Sequence, residues 1–259
     1  MPVSVPSVVV HADADVLAKA VAARLITRLV DVQSAKGSAS LVLTGGGVGL
    51  ATLAEVAASP ARAAVDWRRL DVWWGDERFL PTGDPERNET GARRALLDHV
   101  DLDPERVRPM AGPDSGLTAE EAAERYAEEL RRAARPEDHG PVPSFDVLLL
   151  GMGPDGHVAS LFPEMPSLYE ERPVVAVHGS PKPPPTRISL TLPAITAARE
   201  VWVVAAGAEK SGAVRMALSD AGPMQVPAAG ARGRQRTLFL LDRQAASKIP
   251  PALIRPASP

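Results

Sequence analysis

The stretch FDVLLLGMGPDGHVASLFP, residues 145–163, decides the reading of the fold. Phe145–Leu150 is the most apolar run of the chain, and it stops at Gly151-Met152-Gly153. A short apolar run without alternation is what a strand needs when both faces of its sheet are covered. Glycines at its carboxyl end mark a tight turn. The same shape recurs upstream. Leu41–Leu43 runs into Gly45-Gly46-Gly47, and Leu70–Trp74 runs into Gly75-Asp76-Glu77-Arg78. Val8–Val10, Val174–Val177, Glu200–Ala205 and Thr237–Leu241 are further strand candidates.

Helix-like segments separate these runs. Asp13 or Asp15 is placed to cap a helix whose apolar positions Val16, Ala20, Leu25 and Leu29 form a stripe. Other helices are expected from the glycine cluster to about Ala58, over Asn88–Val100, over Leu117–Arg135 and over Ala208–Ser219. Lys182–Pro185 reads as a proline-rich loop and Ile249–Pro259 as a frayed tail. The alternation predicts an α/β fold, with a mostly parallel central sheet and helices on both faces in a Rossmann-like three-layer sandwich. No linker divides the chain, so residues 1–259 read as a single domain.

Composition narrows the function. With 29 Lys+Arg against 32 Asp+Glu, the net charge of −3 argues against general binding to nucleic acid or a membrane surface. Cys is 0, which excludes disulfides, thiolate catalysis, iron–sulfur clusters and cysteine-ligated zinc. Aromatics at 4% leave no stacking platform for single-stranded nucleic acid. The start, MPVSVPSVVVHADAD, lacks the pattern of a signal peptide, and no apolar run approaches a bilayer span. The expectation is a cytoplasmic protein, monomeric or weakly homo-oligomeric.

In sheets of this kind, ligands sit outside the carboxyl ends of the strands. Three strand ends here carry unusual chemistry. Gly45, Gly46 and Gly47 let backbone N–H groups approach an anion at a helix start. A tight strand–helix turn also needs such glycines, and the loop has neither a P-loop's Lys-Ser/Thr nor the Gly-x-Gly-x-x-Gly spacing. At Asp76-Glu77-Arg78, a carboxylate beside an arginine can orient a base, or only close a solvated salt-bridge turn. Asn88 precedes a helix, where a plain N-cap is the ordinary role. His157 is expected at the start of a short helix, whose dipole would keep its ring neutral and able to accept a proton. Asp155 would cap that helix or orient the ring, and backbone N–H groups near Gly156 would add a donor. Arg187 and Lys210 stand at element boundaries, placed to neutralise a phosphate. His11, His99, His139 and His178 lack such surroundings and read as surface or structural. No His/Asp/Glu set has metal-ligand spacing.

These residues resemble a known family. GMGPDGHVASLFP is similar to the signature of 6-phosphogluconolactonases. LTGGG, WGDERFLP, ERNE, SPKPPPTRISLTLPAI, GAEKSGAV and LFLLDRQAA resemble its other blocks in the same order, over roughly residues 5 to 250. The blocks are specific in combination, not singly. The resemblance implies hydrolysis of 6-phospho-D-glucono-1,5-lactone to 6-phosphogluconate in the oxidative pentose phosphate pathway. It implies no metal or organic cofactor, and a fold similar to that of glucosamine-6-phosphate deaminases. By the same resemblance His157 is the catalytic base, and Arg78, with Asp76 beside it, belongs to the catalytic block. Gly45–Gly47, Asn88, Arg187 and Lys210 then contact the substrate and its phosphate. Asp76 would hold Arg78 or act as a second acid or base. Two departures stand out: Val158 follows the histidine where Thr is common, and Val48-Gly49 replaces a more polar segment.

Two other readings compete. Sugar-phosphate isomerases and deaminases of the same fold continue after this histidine with an Asn-Glu-Pro segment whose acid is catalytic. Here Val158-Ala159-Ser160-Leu161-Phe162-Pro163 follows, with no acid before Glu164. A non-catalytic sugar-phosphate sensor would need a DNA-binding segment, and no basic helix-turn-helix precedes the first strand. No Gly-x-Ser-x-Gly elbow is present for a serine acyl-enzyme.

Overall fold

The computed structural model describes residues 4–138, 140–219 and 221–253. His139 and residues 254–259 of the expected tail lie outside the described residues. Six strands build the main sheet: β1 (Pro6–His11), β2 (Ala39–Leu43), β3 (Leu70–Trp74), β5 (Val147–Gly151), β8 (Glu200–Ala205) and β9 (Arg236–Asp242). Their order is β1-β9-β8-β5-β2-β3, and every neighbouring pair is parallel.

The apolar runs are continuous because each strand feeds two cores. Val147 and Leu149 of β5 pack on one face with Leu41, Leu43, Trp202 and Trp74. That face is covered by α1 (Ala14–Lys36) and α2 (Gly47–Ala58). Leu148 and Leu150 point the other way, with Val42, Trp73, Val201 and Val203. That face meets α4 (Ala119–Ala133), α5 (Leu192–Thr196) and α6 (Ser211–Leu218). The period of two sorts alternate residues to opposite faces. Each fully buried Leu or Val contributes about 1.5–3 kcal/mol relative to exposure.

Asp13, not Asp15, caps α1, its side chain accepting from the Val16 N–H at 2.8 Å. The expected stripe is partly out of phase. Leu25 and Leu29 are buried, but Val16 is 43% exposed and the buried face includes Leu17, Val21 and Val32. The helix expected over Asn88–Val100 stops early as α3 (Asn88–Ala95), because Leu96 leaves helical geometry at φ −145° and buries with Leu97 against the core.

A second, antiparallel sheet has the order β4-β7-β6, from β4 (Asp76–Arg78), β7 (Arg187–Leu190) and β6 (Val174–Val177). Val174–Val177 is therefore not part of the parallel sheet, and Asp76–Arg78 is a strand rather than a turn. Arg78 pairs with Arg187, and Asp76 with Ser189, across more than a hundred residues of chain.

The strand order places the site. From β2 the chain moves outward to β3, then crosses back over β2 to β5. The loops after β2 and β5 leave adjacent strands in opposite directions, which opens a crevice at their carboxyl ends. Among the described residues no helix is long and apolar enough to cross a membrane.

Candidate active site

A cavity of about 310 Å³ opens at that crevice. Its walls bring together Gly45, Gly46, Gly47, Asp76, Arg78, Asn88, His157, Arg187 and Lys210. Of the residues expected at the site, only Gly156 is missing from the lining.

The loop after β2 leads straight into α2. Gly46 precedes the helix with no side-chain cap, so the first-turn amides of Gly47, Val48 and Gly49 have no carbonyl within the helix to pair with. They carry the partial positive charge of the helix start beside the cavity. Gly45 is fixed by a close approach, since a Cβ there would lie 1.9 Å from the Asn88 Oδ1.

The loop after β5 is a closed turn. The Gly156 N–H donates to the Gly153 carbonyl and the Gly153 N–H to that of His157, each at 3.0 Å. No helix begins at His157. Val158 enters a single bridge with Leu161 instead, and Ala159 adopts a left-handed φ of 50° that breaks the helical path. The helix dipole expected at His157 is therefore absent. Gly156 spends its N–H inside the turn and offers no donor to the cavity. Its own role is the turn, at φ 84°, where a Cβ would come within 2.6 Å of Val226. Val158, one of the two departures from the family pattern, is fully buried and presents nothing to the cavity.

Asp155 caps no helix; it orients the ring. Its Oδ1 lies 2.5 Å from the His157 Nδ1 and 3.3 Å from the His157 backbone nitrogen. Burial opposes ionisation of Asp155, but the hydrogen bonds and charge of His157 outweigh it and hold the carboxyl down to about 2. A carboxylate only accepts, so Nδ1 carries the proton and Nε2 is the ring nitrogen left to take one. Phe162 backs the imidazole, with ring centroids 4.5 Å apart.

Asn88 is the first residue of α3, not its cap. Its Oδ1 accepts from the Arg78 Nη1 at 2.8 Å, and its Nδ2 donates to the Asp76 backbone carbonyl at 2.9 Å and the Asp76 Oδ1 at 3.2 Å. The Asp76 Oδ2 accepts from the Ser160 hydroxyl at 2.7 Å. Asp76 thus makes no ion pair with Arg78; Asn88 connects the two. Both amide atoms of Asn88 are engaged in holding neighbours, which fits a positioning role better than a ligand contact.

Arg187 also departs from expectation. Its Nε donates to the Pro184 carbonyl at 3.2 Å, and its Nη2 donates to those of Lys182 and Pro183 at 3.1 and 3.0 Å. The guanidinium braces the proline-rich loop while lining the cavity, and burial lowers its pKa. The braced loop carries Lys182 into the lining, a position that its place in the proline-rich stretch Lys182–Pro185 does not reveal. Burial, with Lys182 nearby, also holds the Lys210 ammonium below its ordinary value, against Glu209 and Asp242. Arg78, Lys182, Arg187 and Lys210 face the cavity with Asp76 as the one lining carboxylate. In a chain of net charge −3, this concentrates positive potential where an anion enters.

Comparison with known proteins identifies the family. The family described as Glucosamine-6-phosphate isomerases/6-phosphogluconolactonase matches residues 12–240. A 6-phosphogluconolactonase of Streptomyces coelicolor is 65% identical over 256 residues, covering 98% of each chain. One of Mycobacterium tuberculosis is 49% identical over 247 residues, covering 94% of this chain and 98% of its own. The solved structure of 6-phosphogluconolactonase from Trypanosoma brucei superposes with a TM-score of 0.80 at 31% identity, covering 96% of this chain and all of that one. A cavity at the switch point of a parallel sheet, a histidine set on a glycine turn, and matches over nearly the whole chain lead to one conclusion: this chain belongs to the 6-phosphogluconolactonase family.

Proposed function

We propose that the chain hydrolyses 6-phospho-D-glucono-1,5-lactone to 6-phosphogluconate, with His157 as the general base. The observation that carries this reading is the oriented Asp155–His157 pair facing the same cavity as four cations and the amide-rich start of α2. The phosphate sits toward the glycine loop, Lys210, Lys182 and Arg187. The lactone carbonyl sits toward His157 and Arg78.

The His157 Nε2 takes a proton from water as its oxygen bonds to the carbonyl carbon. Negative charge moves onto the carbonyl oxygen, where Arg78 meets it. Collapse of this adduct breaks the ring ester bond, and the ring oxygen leaves with a proton as the free hydroxyl. The new carboxylic acid ionises, so each turnover releases one proton. General-base help of this kind contributes about 10²–10⁴-fold. Phosphate binding remote from the carbonyl fixes the ring for attack, which supports turnover as well as affinity. Asp76 and Asn88 hold Arg78 in place.

The cavity is complete within one chain, which fits a monomer or weak homo-oligomer, and we place the enzyme in the cytoplasm. The test is lactone-dependent proton release at neutral pH, set against deamination of glucosamine 6-phosphate. Proton release with the lactone and no deamination is the expected result. Deamination without lactone hydrolysis would overturn the reading.

A further inference from the structure

Glu77 lies between Asp76 and Arg78 in β4 but does not line the cavity, and it is 1% exposed. Strand alternation explains this: Asp76 and Arg78 point into the cavity and Glu77 to the opposite side. There it meets the start of α3. The Glu77 Oε1 accepts the N–H of Arg78 at 2.9 Å and of Asn88 at 2.7 Å, and its Oε2 accepts the N–H of Glu89 at 2.8 Å. The Arg87 Nε lies 3.8 Å from Oε2. Arg87, the residue preceding the helix, supplies no side-chain cap of its own.

One buried carboxylate therefore caps α3 from a neighbouring strand and fastens the backbone of Arg78 in the same act. Asn88 carries that constraint into the cavity, since its side chain accepts from Arg78 and donates to Asp76. A shift of the first turn of α3 moves Asn88 and, with it, both cavity groups.

We propose that Glu77 is a positioning residue for this reaction: by pinning the first turn of α3 it sets, through Asn88, where Arg78 and Asp76 stand. The proposal rests on Arg78 acting at the lactone carbonyl. That premise has its own check, because parental turnover in Arg78→Ala would remove it without reference to Glu77.

The experiment compares Glu77→Asp, Asn88→Ala and the double variant with the parent. Aspartate keeps the charge but is one methylene too short to hold all three amides. Asn88→Ala leaves the cap intact and cuts only the link to the cavity, so it folds even if Glu77→Asp does not. Each single variant is expected to lose about 10–10²-fold in kcat. KM for the phosphorylated lactone and Kd for 6-phosphogluconate stay within about threefold, because Lys182, Arg187 and Lys210 are untouched. The double variant loses less than the product of the two single losses, since both changes act on the placement of Arg78. A merely structural Glu77 lowers stability without this split between kcat and KM. Parental kcat in Asn88→Ala, or additive losses in the double variant, would overturn the proposal.

Discussion

The two edges of the parallel sheet gather similar numbers of cations and use them differently. At the amino-terminal edge a second cavity, of about 270 Å³, is lined by Lys36, Asp71, Arg106, Asp146 and Arg199 among others. Its five cations stand among four carboxylates, and three of the five are in ion pairs. Lys36 pairs with Asp146, the Arg106 Nη1 lies 3.0 Å from the Asp71 Oδ2, and the Arg199 Nε lies 3.7 Å from the Asp146 Oδ1. Asp146 also accepts the Ser40 N–H at 2.9 Å. At the carboxyl edge none of Arg78, Lys182, Arg187 and Lys210 makes an ion pair among the described residues, and all four face the cavity. Paired charges fasten strands and loops together. Unpaired cations, each costly to gather beside others of like sign, are retained where a ligand's charge completes them. The number of arginines does not separate a site from a fastening; the balance of carboxylates against them does.

The sharpest way to break this comparison is to remove the reacting group. His157→Gln should lower kcat by at least about 10²-fold while denaturant midpoint and 6-phosphogluconate affinity stay near the parent's. Near-parental turnover would leave the carboxyl edge without its base. A smaller effect separates phosphate recognition from fold. Arg187→Ala should lower kcat/KM for the phosphorylated lactone about 10–100-fold, with unphosphorylated gluconolactone little affected. Equal loss with both substrates would mean that bracing the Lys182–Pro184 carbonyls is its whole role.

The amino-terminal edge should answer in the opposite sense. Asp146→Asn should cost about 1–3 kcal/mol of stability, read from urea unfolding, with kcat/KM changed less than twofold. A catalytic loss there without a stability loss would erase the contrast. The smallest effect concerns pH. Burial pushes the Glu77 carboxyl from 4.5 up to about 7, against Arg87 and the three N–H groups that it accepts. The folded chain then holds that proton more tightly than the unfolded one. The stability linked to it is complete below pH 4.5 and is lost as pH rises through 7. Glu77→Gln should flatten the dependence of Tm on pH across that window.

What the sequence made legible was local. Leu41–Leu43, Leu70–Trp74 and Phe145–Leu150 advertise buried strands because both of their faces are apolar, and the glycines that follow all three mark where the chain turns. His157, Arg78 and the glycine loop could be singled out from strand-end position alone. The second sheet could not, because Asp76–Arg78 is three residues long and gains its strand geometry only by pairing with β7. The same holds for Lys182, whose loop is held at the cavity by Arg187 from β7 and by the Ser180 hydroxyl. A helix at His157 was expected from the strand–glycine–helix pattern, and the left-handed Ala159 defeats it. Asn88 looked like a cap because its side-chain partners, Asp76 and Arg78, are ten or more residues away in the chain.

The cavity draws its walls from the ends of strands as far apart in sequence as Thr44 and Lys210. No single strand with its following loop holds the base, the arginine and the phosphate loop together. Turnover is then an all-or-nothing reporter of completed assembly. Activity regained on refolding therefore reports that the second sheet, which carries Arg78 and Arg187, is seated on the parallel one.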